Sequence, residues 1–395
     1  MELIPPNLTE QIRAAVQPAR LLATAVDLVA VPSPTRSAGA VADRLAAILT
    51  ADGFNVERPV ADWPEAPAVV VRHDSGRPGP TLQFDGHLDT VHLPFVPPRV
   101  EEGVLYGSGA ADMKGGIAAA VEALRVIAEH DLLPSGRILL TAHDHHEGPW
   151  GDRRQLRALL AAGYVGDAVL LPEYLADRLP IAGRGSAIFE VTISRPGVPV
   201  HEVLRPPNTP DVIAAGADLV CRLNEYHTFI AAESAPHAGH DSVFVGHISA
   251  GAIFNQSPTT CRISGVRRWV TPGRGPAVTE EIRRLCHEIA EAHNVTVAVE
   301  FELPGDAFRL DPHGPPARAL QAALRAITGA ELAPGNKPFV DDGNVFSDEA
   351  GIHAITHGPN ATGAHTVNEA VPVAELVRVA QVYALTAVAF CRQVS

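Results

Sequence analysis

The segment TAHDHHEGPWGD, from Thr141 to Asp152, sets His143, His145 and His146 beside Asp144 and Glu147 within five residues. Imidazole and carboxylate bind divalent metals and move protons near neutral pH. More such residues are scattered along the chain: His87 and Asp89 in FDGHLDTVHLP, Asp112 in GSGAADMKGG, Glu173 in LLPEY, and His365 with Glu369 in GPNATGAHTVNE. In His-x-Asp the acid can hold the imidazole of a metal ligand, although the same pair also serves as a structural hydrogen bond. Asp112, where Gly115 and Gly116 hand a loop to a helix, can bridge two cations or simply favour the helix dipole. Glu173 is a carboxylate ligand or a solvated loop acid, and His365 taken alone is structural. Singly, each group has an ordinary alternative.

The elements around these residues give them positions. The spacing predicts helices over Pro18–Ala30, over SAGAVADRLAAILTADGF and over GGIAAAVEALRVIAEH. Buried-type strands are read in APAVVVRH, TLQFDGH, RILLTAH and DAVLLPE. Strands alternating with helices imply an α/β domain with a mostly parallel sheet, where ligands sit at the carboxyl ends of strands. His87 and Glu173 stand at two such ends.

The middle of the chain is different. SAIFEVTIS, SVFVGHISAG, TTCRISGVRRWV and VTVAVEFEL alternate as strands, with helices in DVIAAGADLVCRLNEY and from Thr279 to His293. This reads as a smaller α+β, ferredoxin-like domain with an antiparallel sheet covered on one face. Helical patterning resumes with PPARALQAALRAITG. A two-part domain over 1–184 and 305–395, with a second domain over 185–304 inserted into it, follows.

With 395 residues, 46% of them hydrophobic and 19% charged, the chain is long enough for two cores. A net charge of −14 speaks against nucleic-acid and anionic-membrane partners, which attract basic surfaces. The start, MELIPPNLTEQIRAA, shows no secretory leader pattern. VRVAQVYALTAVAF, interrupted by Arg378 and Gln381, reads as a packed amphipathic helix. Four dispersed cysteines without a CxxC pair suit reduced thiols in a cytoplasmic protein.

GHLDTV, GAADMKGG, the acid/histidine knot, LPE and GAHTVNE occur in an order and spacing that resemble a dinuclear-metal family. It is the metallopeptidase family of aminoacylases, carboxypeptidase G, acetylornithine deacetylases and succinyl-diaminopimelate desuccinylases. GHISAGAIFNQSPTTC and RPGVPVH resemble motifs of its inserted domain, so the resemblance runs along nearly the whole chain. It implies a catalytic domain with a two-metal centre and an inserted lid and dimerisation domain, hence a homodimer. Carried over by position, it implies that His87, Asp112 and Glu173 hold one divalent ion, zinc first among the candidates. Asp112 would bridge to a second ion bound also by His365, and Asp89 would orient His87. His201 and Asn255 match residues that steady the substrate, and Arg268 an arginine that binds its carboxylate.

The knot departs from this pattern. The family carries Asp-Glu-Glu-x-Gly-x-x-Gly, and an ungapped overlay on Asp144–Gly151 puts His145 at the general base and His146 at the second-metal ligand. A slip of one residue makes Glu147 the ligand or base but misplaces Gly148 and Gly151. On the ungapped reading only Asp89, Asp112 and Glu173 offset the cations, which weakens a second dication and leaves one or two ions open. Histidine nitrogen still suits zinc, nickel, cobalt or iron, and manganese is a further candidate. An imidazole base with a pKa of about 6.5 works near neutrality, though nearby dications disfavour its protonated form. The expected function is metal-dependent hydrolysis of a C–N bond in a small carboxylate-bearing substrate, such as an N-acyl amino acid or dipeptide. Hydrolysis of an aromatic amine or a ring-forming step on the same fold is one alternative, and a catalytically silent metal-binding relative is another.

Overall fold

The computed structural model describes residues 4–392. The outermost residues of the expected catalytic domain, and the first three of the N-terminal stretch, lie outside that range. The chain forms two compact units: residues 1–181, 310–335 and 341–395 in one, and 182–309 with 336–340 in the other. The second unit thus takes in a few residues on each side of 185–304, and the first crossing, between Ile181 and Ala182, falls inside the strand Leu179–Gly183.

In the first unit, six strands form a mixed sheet. Its centre is Thr81–His87, paired in parallel with Arg137–His143 on one side and Ala168–Leu171 on the other. Ala354–Thr356 continues the parallel set, while Val69–Asp74 joins Arg137–His143 antiparallel. Side chains alternate between the two faces as strand geometry requires. Val69, Val71, Ile138, Leu140 and Leu170 enter the main core, and Val70, Leu139 and Val169 enter smaller clusters on the opposite face.

The main core also takes up the helices Pro18–Val29, Lys114–Glu129, Pro315–Thr328 and Val373–Arg392. The last of these is long and apolar enough to cross a bilayer by length and composition alone. It instead packs on the helices Lys114–Glu129 and Pro315–Thr328, with Leu376, Val379, Tyr383, Leu385 and Val388 fully buried. At roughly 1.5–3 kcal/mol for each large apolar side chain withdrawn from water, this burial explains its composition. A short helix, Arg154–Ala161, which the sequence pattern does not announce, follows the knot directly and caps the minor face with Leu156 and Leu159.

The second unit is a four-stranded antiparallel sheet in the order Ser242–Ala250, Thr260–Trp269, Gly185–Ser194, Thr296–Gly305. The helices Val212–Ile230 and Gly275–His293 pack on it through Leu219, Leu223, Ile282 and Ile289 against Phe189, Val191 and Ile263. The second helix begins four residues before Thr279, with Pro276 in its first turn, where a missing N–H costs nothing. All four cysteines are free thiols.

Candidate metal centre

Three adjacent parallel strands end on the same edge of the first sheet. His87 closes one, in register with His143 at the end of its neighbour, and Glu173 follows the third after Pro172. Asp112 comes to them from the loop before Lys114–Glu129. Gly116 makes that approach possible, since a Cβ there would overlap the Pro172 carbonyl oxygen. Glu369 shapes the same loop by accepting the backbone N–H groups of Gly109, Ala111 and Asp112 at 3.0–3.1 Å.

His87 Nε2 lies 3.1 Å from Asp112 Oδ1 and 3.6 Å from Glu173 Oε1. Across Asp112, His365 Nε2 lies 3.1 Å from Oδ2 and 3.3 Å from Glu147 Oε2. The two oxygens of Asp112 therefore face two histidines, as a bridging carboxylate would. Donor atoms of His87, Asp112 and Glu147 fall within 4.8 Å of one another, and so do those of His87, His146 and Glu173. Five of these six groups are buried, and His365, with its side chain 55% exposed, is the open edge.

Asp89 acts in a way the sequence does not reveal. His87 Nδ1 meets the Asp89 main-chain carbonyl at 2.9 Å, while the carboxylate accepts the N–H groups of His146 and Glu147. One acid thus fixes both a ligand ring and the knot. Asp144 anchors the knot from behind by accepting backbone N–H groups of Arg36, Ala38 and His145. Arg153 donates to the His146 carbonyl oxygen, and Gly151 leaves room for that carbonyl, which a Cβ would overlap.

This arrangement runs against the ungapped reading of the knot. His145, at φ +71°, turns its ring away to an edge-on contact with Trp63 at 4.4 Å, with Nδ1 3.2 Å from Asp152. It joins none of the metal-type clusters among the described residues. Glu147 is the knot residue that meets Asp112 and His365. Gly148, which weighed against the slipped register, has open space where a Cβ would be, so its place in the pattern is not a steric requirement. His146 stacks on His87 with ring centres 3.9 Å apart and planes 9° apart, its Nε2 3.8 Å from Glu173 Oε1. Behind it, Nδ1 lies 2.9 Å from Asp342 Oδ2, an acid in VDDGN that sequence reasoning passed over. Only its spatial neighbours mark it, because nothing in the sequence links it to the knot.

The protonation balance describes a site short of positive charge. Burial, with the Asp112 charge beside it, drives Glu173 well above the usual carboxylate range. His87 is driven well above its ordinary value despite burial, through Asp112 and Glu173. Hydrogen bonds to Asp112 and Glu147 push His365 up to about 10. Carboxylates that recruit protons onto two histidines are suited to exchange them for metal cations.

The inserted-domain candidates sit in their own unit. His201 Nε2 and Asn255 Nδ2 are 3.1 Å apart, and both residues are solvent-accessible. Arg268, on the strand Thr260–Trp269, is half-buried and donates no side-chain hydrogen bond among the described residues. Burial and the neighbouring Arg184 charge lower its pKa.

Known proteins resemble this chain along nearly its whole length. A succinyl-diaminopimelate desuccinylase of Gluconacetobacter diazotrophicus is 30% identical over 403 aligned residues, covering 95% of this chain and 98% of the relative. One from a Methylobacterium species is 31% identical, covering 92% and 94%. Among solved structures, a tripeptidase of Staphylococcus aureus superposes with a TM-score of 0.80 at 21% identity, over 96% of this chain and all of that one. Human carnosine dipeptidase 1 gives 0.78 at 15% identity, over 98% of this chain and all of that one. These likenesses establish the fold. Residues 84–389 match the model of peptidase family M20/M25/M40, and the chain belongs to that family of metal-dependent hydrolases of C–N bonds.

Proposed function

We propose that this protein is a dinuclear-metal amidohydrolase that cleaves an N-acyl amino acid or dipeptide bearing a free carboxylate, with a histidine in place of the usual carboxylate base. His87, Asp112 and Glu173 hold one ion, and Asp112, Glu147 and His365 hold the other. The observation that carries this reading is the Glu147 carboxylate, 3.3 Å from His365 Nε2 and grouped with His87 and Asp112. With Glu147 counted, three carboxylates share two cation positions, and the second ion regains its charge compensation. Zinc fits this mixed nitrogen and oxygen donor set, and manganese, cobalt, nickel and iron are compatible with it.

His146 handles the proton. In-plane lone pairs on two rings stacked 3.9 Å apart run side by side rather than converging on one ion. His146 Nε2 therefore offers its lone pair to the pocket instead of sharing the ion of His87. The metal pair supplies a polarised carbonyl and an activated water. His146 Nε2 accepts the proton of the attacking water and returns it to the leaving nitrogen, a task worth about 10²–10⁴ in rate. Arg268, with no acid committed to it among the described residues, takes the substrate carboxylate, and His201 with Asn255 steadies the developing oxyanion. The family resemblance supports these last three roles.

The same resemblance supports a homodimer formed through the inserted domain. Ser242–Ala250 is an edge strand of the second unit with Phe244 and Ile248 exposed, a surface of the kind that pairs with another strand.

The test is metal analysis plus turnover of N-succinyl and N-acetyl amino acids, dipeptides and aromatic amines across several metals. The expected result is about two ions per chain, with cleavage of carboxylate-bearing amides. Stoichiometric metal without any turnover would favour a silent binder, and cleavage confined to aromatic amines would replace the substrate class.

A further inference from the structure

Asp342 is fully enclosed, and neither of its oxygens makes a well-directed hydrogen bond among the described residues. Three cationic or potentially cationic nitrogens surround it. His146 Nδ1 is 2.9 Å from Oδ2, His143 Nε2 is 3.4 Å from Oδ2, and Arg153 Nε is 3.3 Å from Oδ1. These three are not equivalent. His143 is already engaged on both sides, by Asp85 at 3.4 Å and by the Asp144 carbonyl at 3.1 Å. Arg153 donates to the His146 carbonyl. His146 Nδ1 approaches only Asp342 among the described residues, at 2.9 Å but without a well-directed hydrogen bond, and its main chain is pinned by Asp89 and Arg153.

We infer that Asp342 is a positioning residue for His146: it holds the imidazole as the Nδ1–H tautomer, so that Nε2 presents a lone pair to the metal pocket. This rests on the proposed role of His146 as proton carrier. A carboxylate behind an imidazole fixes its tautomer and orientation and raises its basicity. A glutamate at position 146 would need no such partner and would be opposed by one. Asp342 thus also returns, one layer out, the negative charge that a histidine at 146 removes. Arg153 helps by tying Asp342 and the His146 main chain into one unit.

The tautomer can be read directly in the full-length, zinc-loaded protein labelled with ¹⁵N-histidine, using long-range ¹H–¹⁵N spectra with His146→Gln for assignment. The expected state is Nδ1–H with a bare Nε2. In Asp342→Asn the side-chain amide can donate to Nδ1 and reverse the tautomer, and kcat should fall at least 10–100-fold with KM changed little. Introducing His146→Glu should reverse the sign: in that background Asp342→Asn should raise zinc affinity and melting temperature, because it separates two buried acids. An Nε2–H tautomer in the unmutated protein would overturn the inference, and that measurement survives even if the Asp342 variant does not fold. Equal effects of Asp342→Asn in both backgrounds would also overturn it, since a purely structural acid has no reason to change sign. Full turnover by His146→Ala would instead sink the proton-carrier role and leave the tautomer result standing as a separate finding.

Discussion

The carboxyl edge of the six-stranded sheet and the exposed loops and edge strand of the second unit carry polar chemistry under opposite conditions. At the first, His87, Asp112, His146, Glu147 and Glu173 are withdrawn from water and crowd one another. Each side chain there is held by another polar group, and the two acids behind the site, Asp89 and Asp342, grip main chain or ring rather than solvent. At the second, His201 and Asn255 bond to each other in the open, while Phe244 and Ile248 lie bare on an edge strand. Burial makes the first site sensitive to single atoms, because an unpaired group there bears its full desolvation cost. Exposure makes the second tolerant, and suited to contacts that form and break.

The sharpest way to break this contrast lies within the knot. His146→Ala should lower kcat by about 10²–10⁴, whereas His145→Ala, which removes a ring packed on Trp63, should leave kcat within a few-fold and mainly lower stability. Steady-state kinetics with matched metal content decides it, and the reverse ranking would restore the ungapped reading of the motif. Next in size is Glu147→Gln, which should release about one metal equivalent or weaken it at least 10–100-fold. Atomic emission and competitive titration would detect either. Retention of both ions with unchanged affinity would refute the assignment of Glu147.

The fold was largely legible in the sequence because hydrophobic periodicity is a local property. Both sheets, the α/β and α+β division and the buried C-terminal helix follow from it, although Arg154–Ala161 was hidden by its short length and mixed composition. Of the residues proposed for the metal centre, His87 and Glu173 stand where a motif meets a strand end, while Asp112 and His365 come from loops that only the family resemblance picks out. The knot was not legible, because its register depended on two glycines of unequal weight. Gly151 is packed under the His146 carbonyl and Gly148 faces open space, a difference that no letter of the sequence reveals. Asp342 was out of reach altogether, nearly 200 residues from the histidine it faces.

In the second unit, Arg268→Ala tests whether a half-buried arginine contributes binding rather than chemistry. Loss of a charged hydrogen bond, about 1.5–3 kcal/mol, corresponds to a rise in KM of roughly 10–100-fold with little change in kcat. A fall in kcat with KM unchanged would place Arg268 in the chemistry instead. Phe244→Arg on the edge strand should weaken self-association, read as a shift toward monomer in sedimentation velocity. A dimer of unchanged affinity would direct attention to another surface.

The smallest expected effect is thermal and depends on pH. Burial opposes charge on His143, but Asp85 and Asp342 prevail and raise its pKa to about 9. A pKa higher in the folded than in the unfolded state adds stability that is fully present below about 6.5. That stability is lost as pH rises through about 9. His365, pushed up to about 10 in the absence of metal, acts with the same sign over a similar window. The two can be separated if zinc binds as proposed, since it would replace the proton on His365 while His143 lies outside the proposed ligand set. Chelated protein should therefore lose melting temperature more steeply from pH 6.5 to 9 than zinc-loaded protein does, and His143→Gln should flatten the slope that remains with zinc. A zinc-loaded slope indifferent to His143→Gln would mean that the buried Asp85–His143–Asp342 group carries no proton in the folded state.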